Sequence, residues 1–246
     1  MKHYKWQIVL GLILVGLSAA LYLVHYGIFG DAHHILIYMV GDVAFVPIEV
    51  LLVTVIIHQL LNAREKRAIL EKMNMVIGVF FSEVGTELVG RLAAFDPDSD
   101  RNKEKLIVTS DWSNQQFSNV RKSFEKHDYR SGDQKMSLED LRNFLLEKKD
   151  FLLRLLENPN LLEHDTFTDL LWAVLHLAEE LSYRDDLGQL PDSDYAHLMG
   201  DVRRSYALLI GEWLDYMKYL KDSYPYLFSL AIRTNPLDQN ASPVVQ

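Results

Sequence analysis

The sequence predicts an all-α protein in which an N-terminal transmembrane helical hairpin is followed by a cytoplasmic helical bundle. Two apolar runs near the N-terminus are each long enough to cross a bilayer, whose hydrocarbon core takes about 20 helical residues. Beyond them, apolar residues recur at steps of three and four, and no segment alternates as a β-strand does. These patterns predict a hairpin over residues 1–61, a connecting helix over 62–95 and a single-domain bundle over 96–233.

The first apolar run comprises the 17 uncharged residues 8–24. With its flanking aromatic residues it predicts a span over about 8–26. A cleaved signal peptide is the alternative, because two lysines precede the run and the small residues 18–20 would suit a signal peptidase. The apolar run continues past that point, which favours an uncleaved anchor.

The second predicted span, residues 35–61, contains four residues that are unusual in a membrane helix: Asp42, Pro47, Glu49 and His58. Glu49 is expected near mid-depth, where an ionisable group costs a few kcal/mol. Asp42 shares its helix face near the outer headgroups, whereas His58 points away toward the cytoplasmic headgroups. Pro47 removes a backbone donor and predicts a kink just before Glu49.

A carboxyl at mid-depth has two interpretations. Glu49 is either protonated and bonded to another helix as a structural link, or it handles ions or protons. In both cases it needs a partner, and the first span offers only Ser18, Tyr22 and His25. We therefore expect Glu49 to face copies of itself in a homo-oligomer.

The distribution of basic residues predicts the topology. Residues 27–34, between the two spans, contain no Lys or Arg, whereas Arg64, Lys66, Arg67 and Lys72 follow the second span. The positive-inside rule then places both termini in the cytoplasm and the connection outside. Each of these bases near an anionic leaflet also adds on the order of 1 kcal/mol of attraction, so membrane lipid is an expected partner.

The soluble part is predicted to be helical throughout. An apolar stripe predicts one nearly continuous helix from the membrane to about residue 95, a rod that would transmit tilt or rotation. Residues 96–102 are expected to form a polar turn, and residues 234–246 a disordered tail. Further helices are expected over residues 111–127, 137–157, 166–184 and 193–223. The last of these is expected to expose a charged face formed by Asp201, Arg203, Arg204, Glu212, Asp215 and Lys218.

Composition and motifs exclude several classes of function. The chain has 246 residues, a net charge of −9 and no cysteine, which excludes disulfides, thiolate zinc sites and cysteine nucleophiles. An acidic chain without basic and aromatic stripes argues against nucleic-acid binding. No phosphate-loop, dinucleotide, hydrolase-elbow or zincin motif is present, so we expect no cofactor and favour a protein that is not an enzyme.

The best candidate for metal chemistry is the segment HLAEEL, which contains His176, Glu179 and Glu180. Four-helix di-metal proteins use Glu-x-x-His twice, whereas the order here is reversed and has no second copy. A solvated pair, or one bonded to a neighbouring helix, is therefore the expected state, with a metal site as the alternative. His197, four residues before Asp201, is interpreted in the same way.

Several segments resemble a family of uncharacterised bacterial two-span membrane proteins. They are GDVAFVPIEVLLVT at 41–54, NMVIGVFFSEVG at 74–85, EWLDYMKYLKDSYPYLFSLAIRTNP at 212–236 and HLAEEL. The resemblance extends over most of the chain. It implies a location in the bacterial inner membrane and implies no activity, cofactor or site.

Two functions are consistent with these observations. In the first, second spans of a homo-oligomer surround an interior that Asp42 and Glu49 make favourable for cations or protons, and the connecting helix acts as a gate or sensor. In the second, the hairpin is an anchor, Glu49 is a structural link, and the bundle binds a cytoplasmic protein partner. A metal-dependent enzyme is a third hypothesis, and it depends on His176.

Overall fold

A computed structural model describes residues 2–96, 99–125, 137–159, 161 and 164–245. Every long regular element in these ranges is a helix and none is a strand, which confirms the all-α prediction at the level of class. The chain forms two compact units, Met1–Lys66 and Arg67–Gln246. The helices are α1 (Lys2–Phe29), α2 (Ala32–Phe80), a π-turn (Phe81–Gly85), α3 (Thr86–Ala93), α4 (Ser99–Lys105), α5 (Asn114–Glu125), α6 (Ser137–Leu156), α7 (Asp165–Ser182), α8 (Asp192–Ser223) and α9 (Pro225–Arg233).

The connection between α1 and α2 is shorter than the eight residues the sequence predicts. Gly30 adopts a φ of 64°, a conformation that glycine tolerates, and its N–H donates to the carbonyl of Tyr26 at 2.8 Å. The carboxylate of Asp31 then accepts the N–H groups of His33 and His34, at 2.9 and 3.1 Å, and caps α2. These two residues supply the stop and start signals that end one helix and begin the next.

The N-terminal unit has no hydrophobic core among its described residues. Two stretches, Trp6–Phe29 and one within Ala32–Ala93, are long and apolar enough to cross a membrane, and no residue of their most apolar windows is buried. Pro47 lies within the continuous helix α2. Among the described side chains of this unit none is buried.

The C-terminal unit has a continuous core that begins in the last turns of α2. Helix α7 packs between α6 and α8, and α8 also contacts α3, α5 and α9. The stripe predicted over residues 69–95 lies in this core. Its fully buried large side chains include Met73, Phe80, Phe81, Leu88, Leu92, Leu106, Leu138, Leu141, Leu145, Leu152, Leu161 and Phe167.

A π-turn interrupts the predicted continuous helix at Phe81–Gly85. The hydroxyl of Thr86 donates to the carbonyl of Phe81 at 2.8 Å, and this bond stabilises the wider turn. Gly85 is required here, because a Cβ at this position would lie 2.5 Å from a ring carbon of Phe81 and 2.7 Å from one of Phe80. Helix α3 then continues the apolar stripe to Ala93.

The structure corrects the sequence prediction at two further places. Helix α4 begins inside the predicted polar turn 96–102 and continues to Lys105. The Asn102 amide donates to the Asp96 carboxylate at 2.7 Å in a buried position. The predicted disordered tail is wrong for Asn235 and Leu237, which are both buried. The Asn235 amide donates to the carbonyl of Leu106 at 2.9 Å, so this residue fixes the tail to the core.

The predicted helix 111–127 begins at Asn114 and is described as far as Glu125. Residues 126–136, which follow α5 in the sequence, lie outside the described residues.

Candidate functional site

Four titratable side chains meet between α7 and α8. His176 and Glu180 lie one turn apart on α7, and His197 and Asp201 lie one turn apart on α8. The first His faces Asp201 and the second faces Glu180, so the two helices run antiparallel here. We call these four residues the His–acid cluster.

Each imidazole of the His–acid cluster faces both carboxylates. One oxygen of Asp201, Oδ2, lies 3.7 Å from Nε2 of His176 and 3.6 Å from Nε2 of His197. The carboxylate of Glu180 approaches the same two nitrogens, at 3.9 and 3.7 Å. These separations are longer than hydrogen bonds, so the four groups surround a common region without bonding directly.

Asp201 is the buried member of the cluster. Only 3% of its side chain is exposed, and its Oδ2 atom has no hydrogen-bond partner among the described residues. Its other oxygen, Oδ1, is paired with the guanidinium of Arg204 at 3.2 Å. Because a buried carboxylate oxygen without a partner is energetically unfavourable, Oδ2 is the atom in this cluster that most needs one.

The predicted solvent exposure of Asp201 is wrong. The adjacent Leu198 and Val202 are buried where α8 packs, and Asp201 is buried with them. Glu212, from the same predicted polar face, is buried as well. The sequence does contain a signal for the cluster: the spacing of His197 and Asp201 on one helix repeats that of a His and a Glu on the preceding helix.

An arginine fixes one side of the cluster. Arg184 donates to both oxygens of Asp194, at 2.8 and 2.6 Å, and to Glu180 at 2.8 Å. The hydrogen bond from Arg184 is the main reason that the pKa of the Glu180 carboxyl lies below its ordinary value. The same kind of bond lowers the pKa of Asp194, and the pKa of Arg184 is raised chiefly by its bond to Asp194. Both carboxylates are therefore ionised at neutral pH.

Of the three predicted metal candidates, His176 and Glu180 lie together in the structure, and Glu179 does not. Glu179 points away from the other two, and its carboxylate lies 3.9 Å from the amino group of Lys149 on α6. Across the described part of the chain, no three or more His, Asp or Glu side chains are already arranged to hold a metal ion. Asp201 and His197 thus replace Glu179 as the residues that accompany His176 and Glu180.

In the predicted second span, Asp42, Glu49 and His58 are all exposed. No described residue forms a hydrogen bond or ion pair with any of the three side chains. The basic residues Arg64, Lys66 and Lys72 are exposed as well, and the side chain of Arg67 lies outside the described residues.

The polar residues of α1 that the sequence offers as partners of Glu49 do not lie beside it. Ser18, Tyr22 and His25 line a cleft of about 500 Å³ together with Ile35 and Tyr38, near the start of α2. This placement leaves the carboxyl at position 49 without the partners that the first span was expected to offer.

These features define a two-unit, all-helical protein with two candidate membrane spans and a cluster of histidines and acids in its larger unit. The chain belongs to the MJ1433 family: residues 1–61 match "MJ1433, N-terminal helical domain", and residues 69–233 match "Uncharacterized protein MJ1433, C-terminal helical domain". Between these two matches lies the boundary of the two structural units, at Lys66.

The chain is similar to the uncharacterized protein MJ1433 of Methanocaldococcus jannaschii, with 44% identity over 246 residues. The match covers 100% of this chain and 98% of the relative. No solved structure matches the chain. Since this relative comes from an archaeon, the expected restriction to bacteria has no support.

Proposed function

We propose that this chain is an integral membrane protein whose N-terminal hairpin tethers a helical binding domain to the cytoplasmic face of the membrane. The observation that carries the proposal is the difference in burial between the two units. The C-terminal unit completes a hydrophobic core within itself, whereas no described side chain of the N-terminal unit is buried.

Lipid is the environment that the N-terminal unit fits. Fully burying a large apolar side chain is worth about 1.5–3 kcal/mol, and dozens of such side chains in α1 and α2 are exposed to the surroundings. An apolar surface of this extent marks contact with a membrane or with other proteins. Because the backbone of both helices is bonded internally, the hairpin can enter hydrocarbon with its helical N–H and C=O groups paired.

Charge supports the proposed orientation. The short connection contains the acidic residue Asp31 and no base, while exposed bases at Arg64, Lys66 and Lys72 follow the second span. The positive-inside rule places such bases in the cytoplasm, together with the C-terminal unit. The membrane concerned is then the cytoplasmic membrane, with both termini inside.

The tethered domain carries exposed apolar side chains suited to a protein partner. Leu146 and Leu153 lie seven residues apart, on one face of α6, and both are exposed. Trp172 on the neighbouring α7 is 60% exposed. Aromatic and aliphatic side chains of this kind are typical anchors of protein interfaces.

Membrane extraction tests the proposal. The full chain should remain with membranes through high-salt and alkaline carbonate washes, and a fragment of residues 67–246 should be soluble, helical and monomeric. Release of the full chain by salt alone would contradict membrane insertion. A fragment that aggregates or lacks helical structure would contradict the independent domain.

Cysteine labelling tests the orientation, since the natural chain contains no cysteine. In intact cells, a membrane-impermeant maleimide should label His33→Cys, at the start of α2, and should leave Asn240→Cys unlabelled. Both sites should react after the membrane is permeabilised. The reverse pattern would contradict the proposed orientation.

The position of Glu49 favours a second candidate function, a homo-oligomer that conducts cations or protons. This exposed carboxyl has no partner within the described chain, and Asp42 lies two turns earlier on the same face. Copies of α2 around a shared axis would gather both carboxyls into rings that attract cations.

Mass and flux measurements separate the two candidates. We expect the conducting assembly to be a defined oligomer by light scattering in nanodiscs, with proton or cation flux in liposomes that Glu49→Gln abolishes. Glu65→Gln, which removes a carboxyl of α2 beyond the span, is the matched control and should leave flux unchanged. A monomer, or equal flux in Glu49→Gln and wild type, would leave only the tethered domain.

A further inference from the structure

The environment of the Asp201 carboxylate indicates that the His–acid cluster binds a further group. Oδ2 of Asp201 is buried and has no hydrogen-bond partner in the described part of the chain, and it lies 3.7 and 3.6 Å from the Nε2 atoms of His176 and His197. A solvated surface pair would not bury its carboxylate in this way. The structure therefore needs a proton, a water molecule or a cation between these groups.

We propose that His176, His197 and Asp201, with Glu180 as a fourth donor, bind a divalent first-row transition metal ion such as Zn²⁺. This inference goes beyond the tethered domain proposed above, and it does not depend on whether the hairpin crosses a bilayer. The four donors come in two pairs spaced by one helical turn, one pair on each of two neighbouring helices.

The spacing of the donors is close to that of a coordination shell. Zinc bound to imidazole and carboxylate at about 2.0–2.1 Å in a tetrahedron places neighbouring donor atoms about 3.3 Å apart. The separations observed between each imidazole and the two carboxylates are 3.6–3.9 Å. The donors are not yet gathered at metal-binding spacing, so binding requires a closure of about 0.3–0.6 Å, which side-chain rotation can supply.

The two imidazoles can move toward the carboxylates because both histidines are partly exposed. The side chains of His176 and His197 are 46% and 55% exposed, so each ring has space to rotate toward the fixed, buried oxygen of Asp201. The same exposure provides a path by which an ion reaches the site from solvent. Asp201 is thus the anchor of the site, and the imidazoles are its adjustable ligands.

Two arginines supply the outer support that metal ligands require. Arg204 pairs with Oδ1 of Asp201 at 3.2 Å and leaves Oδ2 for the ion. Arg184 bonds one oxygen of Glu180 at 2.8 Å and leaves the other facing His176. Partners of this kind orient ligating carboxylates, and changing them typically weakens metal binding 10–100-fold.

The charge and chemistry of the site suit a divalent ion. Three carboxylates, Glu180, Asp194 and Asp201, face two guanidiniums, Arg184 and Arg204, so the neighbourhood has a net charge of −1 when both imidazoles are neutral. Imidazole nitrogen together with carboxylate oxygen is a donor set for zinc, iron and nickel rather than for calcium or magnesium, which take oxygen alone.

A bound ion would connect α7 to α8 through two side chains from each helix. The helices already pack together, so the metal would stabilise an existing arrangement rather than create the fold. Metal concentration would then control the stability of the surface that α7 presents. The tethered domain would respond to a divalent metal through this connection.

Zinc titration of the full chain in detergent tests the proposal. The protein is purified without a histidine tag, stripped with a chelator and titrated with Zn²⁺ against a chromophoric indicator. We expect one tight site per chain. Asp201→Asn and the double variant His176→Ala/His197→Ala should each lose at least 100-fold in affinity, more than outer-shell changes cost.

Two matched controls identify where zinc binds. Glu179→Gln removes the adjacent carboxylate of α7 that faces Lys149, and it should bind zinc like the wild type. His33→Ala/His34→Ala removes the histidine pair of the N-terminal unit and should do the same. Wild-type protein without a tight site, or equal affinity in wild type and in the double variant, would overturn the proposal.

Thermal unfolding gives an independent measurement. Zn²⁺ should raise the Tm of the wild type and of Glu179→Gln, and it should leave the Tm of Asp201→Asn unchanged. If Asp201→Asn does not fold, His176→Gln/His197→Gln decides the question, because glutamine keeps hydrogen-bonding capacity without an imidazole. A zinc-dependent rise in Tm that persists in this double variant would contradict the site.

Discussion

Phenylalanine occupies two different environments in the two units. Phe167 in α7 is fully buried and meets the ring of Phe80 edge to face at 5.2 Å, whereas Phe45 in α2 is 49% exposed. Both residues lie in regular helices whose backbone groups are bonded internally. The units therefore differ in what surrounds their apolar side chains: the C-terminal unit supplies its own apolar environment, and the described residues of the N-terminal unit do not. In the proposed function, lipid would supply that environment.

The largest effect is expected from a substitution in the core of the C-terminal unit. Phe167→Ala should lower the free energy of unfolding of the C-terminal unit by about 3–5 kcal/mol, because it leaves a cavity where a whole ring was packed. Phe45→Ala, the same substitution in the N-terminal unit, should change that value by less than about 0.5 kcal/mol. Denaturant unfolding of the detergent-solubilised chain measures both. Equal losses would contradict the separation of the units.

A smaller effect is expected at the π-turn, where the helical chain enters the core. Gly85→Ala should destabilise the C-terminal unit by about 1–3 kcal/mol, because the added Cβ would overlap the rings of Phe80 and Phe81. Gly200→Ala in α8 is the control. Nothing lies within 4 Å of its added Cβ, so it should be neutral or stabilise by about 0.5–1 kcal/mol. The same unfolding measurement applies, and no loss in Gly85→Ala would contradict the close packing at the turn.

The C-terminal limit of the core gives the next prediction. Asn235→Ala should cost about 1 kcal/mol, because the buried N–H of Leu237 loses its acceptor at 3.0 Å. Asn240→Ala, in the exposed part of the same segment, should fall within about 0.5 kcal/mol of wild type. If the two variants have the same Tm, the burial of Asn235 does not stabilise the fold, and the disordered tail that the sequence predicts would be supported instead.

The smallest effect concerns pH. The folded-state pKa of Glu180 lies below its ordinary value of 4.5, so the unfolded chain takes up this proton first as pH falls. Its contribution to stability is therefore complete above pH 4.5 and is lost as pH drops through the folded-state pKa. Glu180→Gln should be less stable than wild type above pH 4.5, and the two should converge in more acidic solution.

Unfolding of both proteins over a pH series measures this difference. Glu179→Gln is the control for replacing a glutamate of α7 outside the His–acid cluster. A gap between Glu180→Gln and wild type that widens on acidification would show that the sign is wrong.

Much of the fold could be predicted from periodicity, and much of the cluster could not. The stripe that contains Met73, Phe80 and Leu88 indicates a buried helix face, and the structure buries all three residues. The π-turn could not be predicted, because it depends on two rings that leave no space for a Cβ at Gly85. For the cluster, spacing along the sequence pairs His176 with Glu180 and His197 with Asp201, but the same pattern places Asp201 on an exposed face.

The error at Asp201 has a physical reason. Spacing along one helix tells which residues share a face, but it does not tell how far a neighbouring helix covers the edge of that face. The same reason applies to Glu212, which the pattern places on the polar face of α8 and which is buried. Asn235 lies beyond the last helix, and its partner, the carbonyl of Leu106, is distant in the sequence.

The sequence alone determined the helical class, the two apolar stretches, the charge asymmetry around them and the absence of cysteine, because each of these follows from local composition and spacing. Tertiary structure alone decided that α7 and α8 run side by side, so that His176 and Glu180 meet His197 and Asp201. It also decided which of the two carboxylates is buried. Contacts between distant segments set burial, and burial makes an ordinary aspartate into a candidate metal ligand.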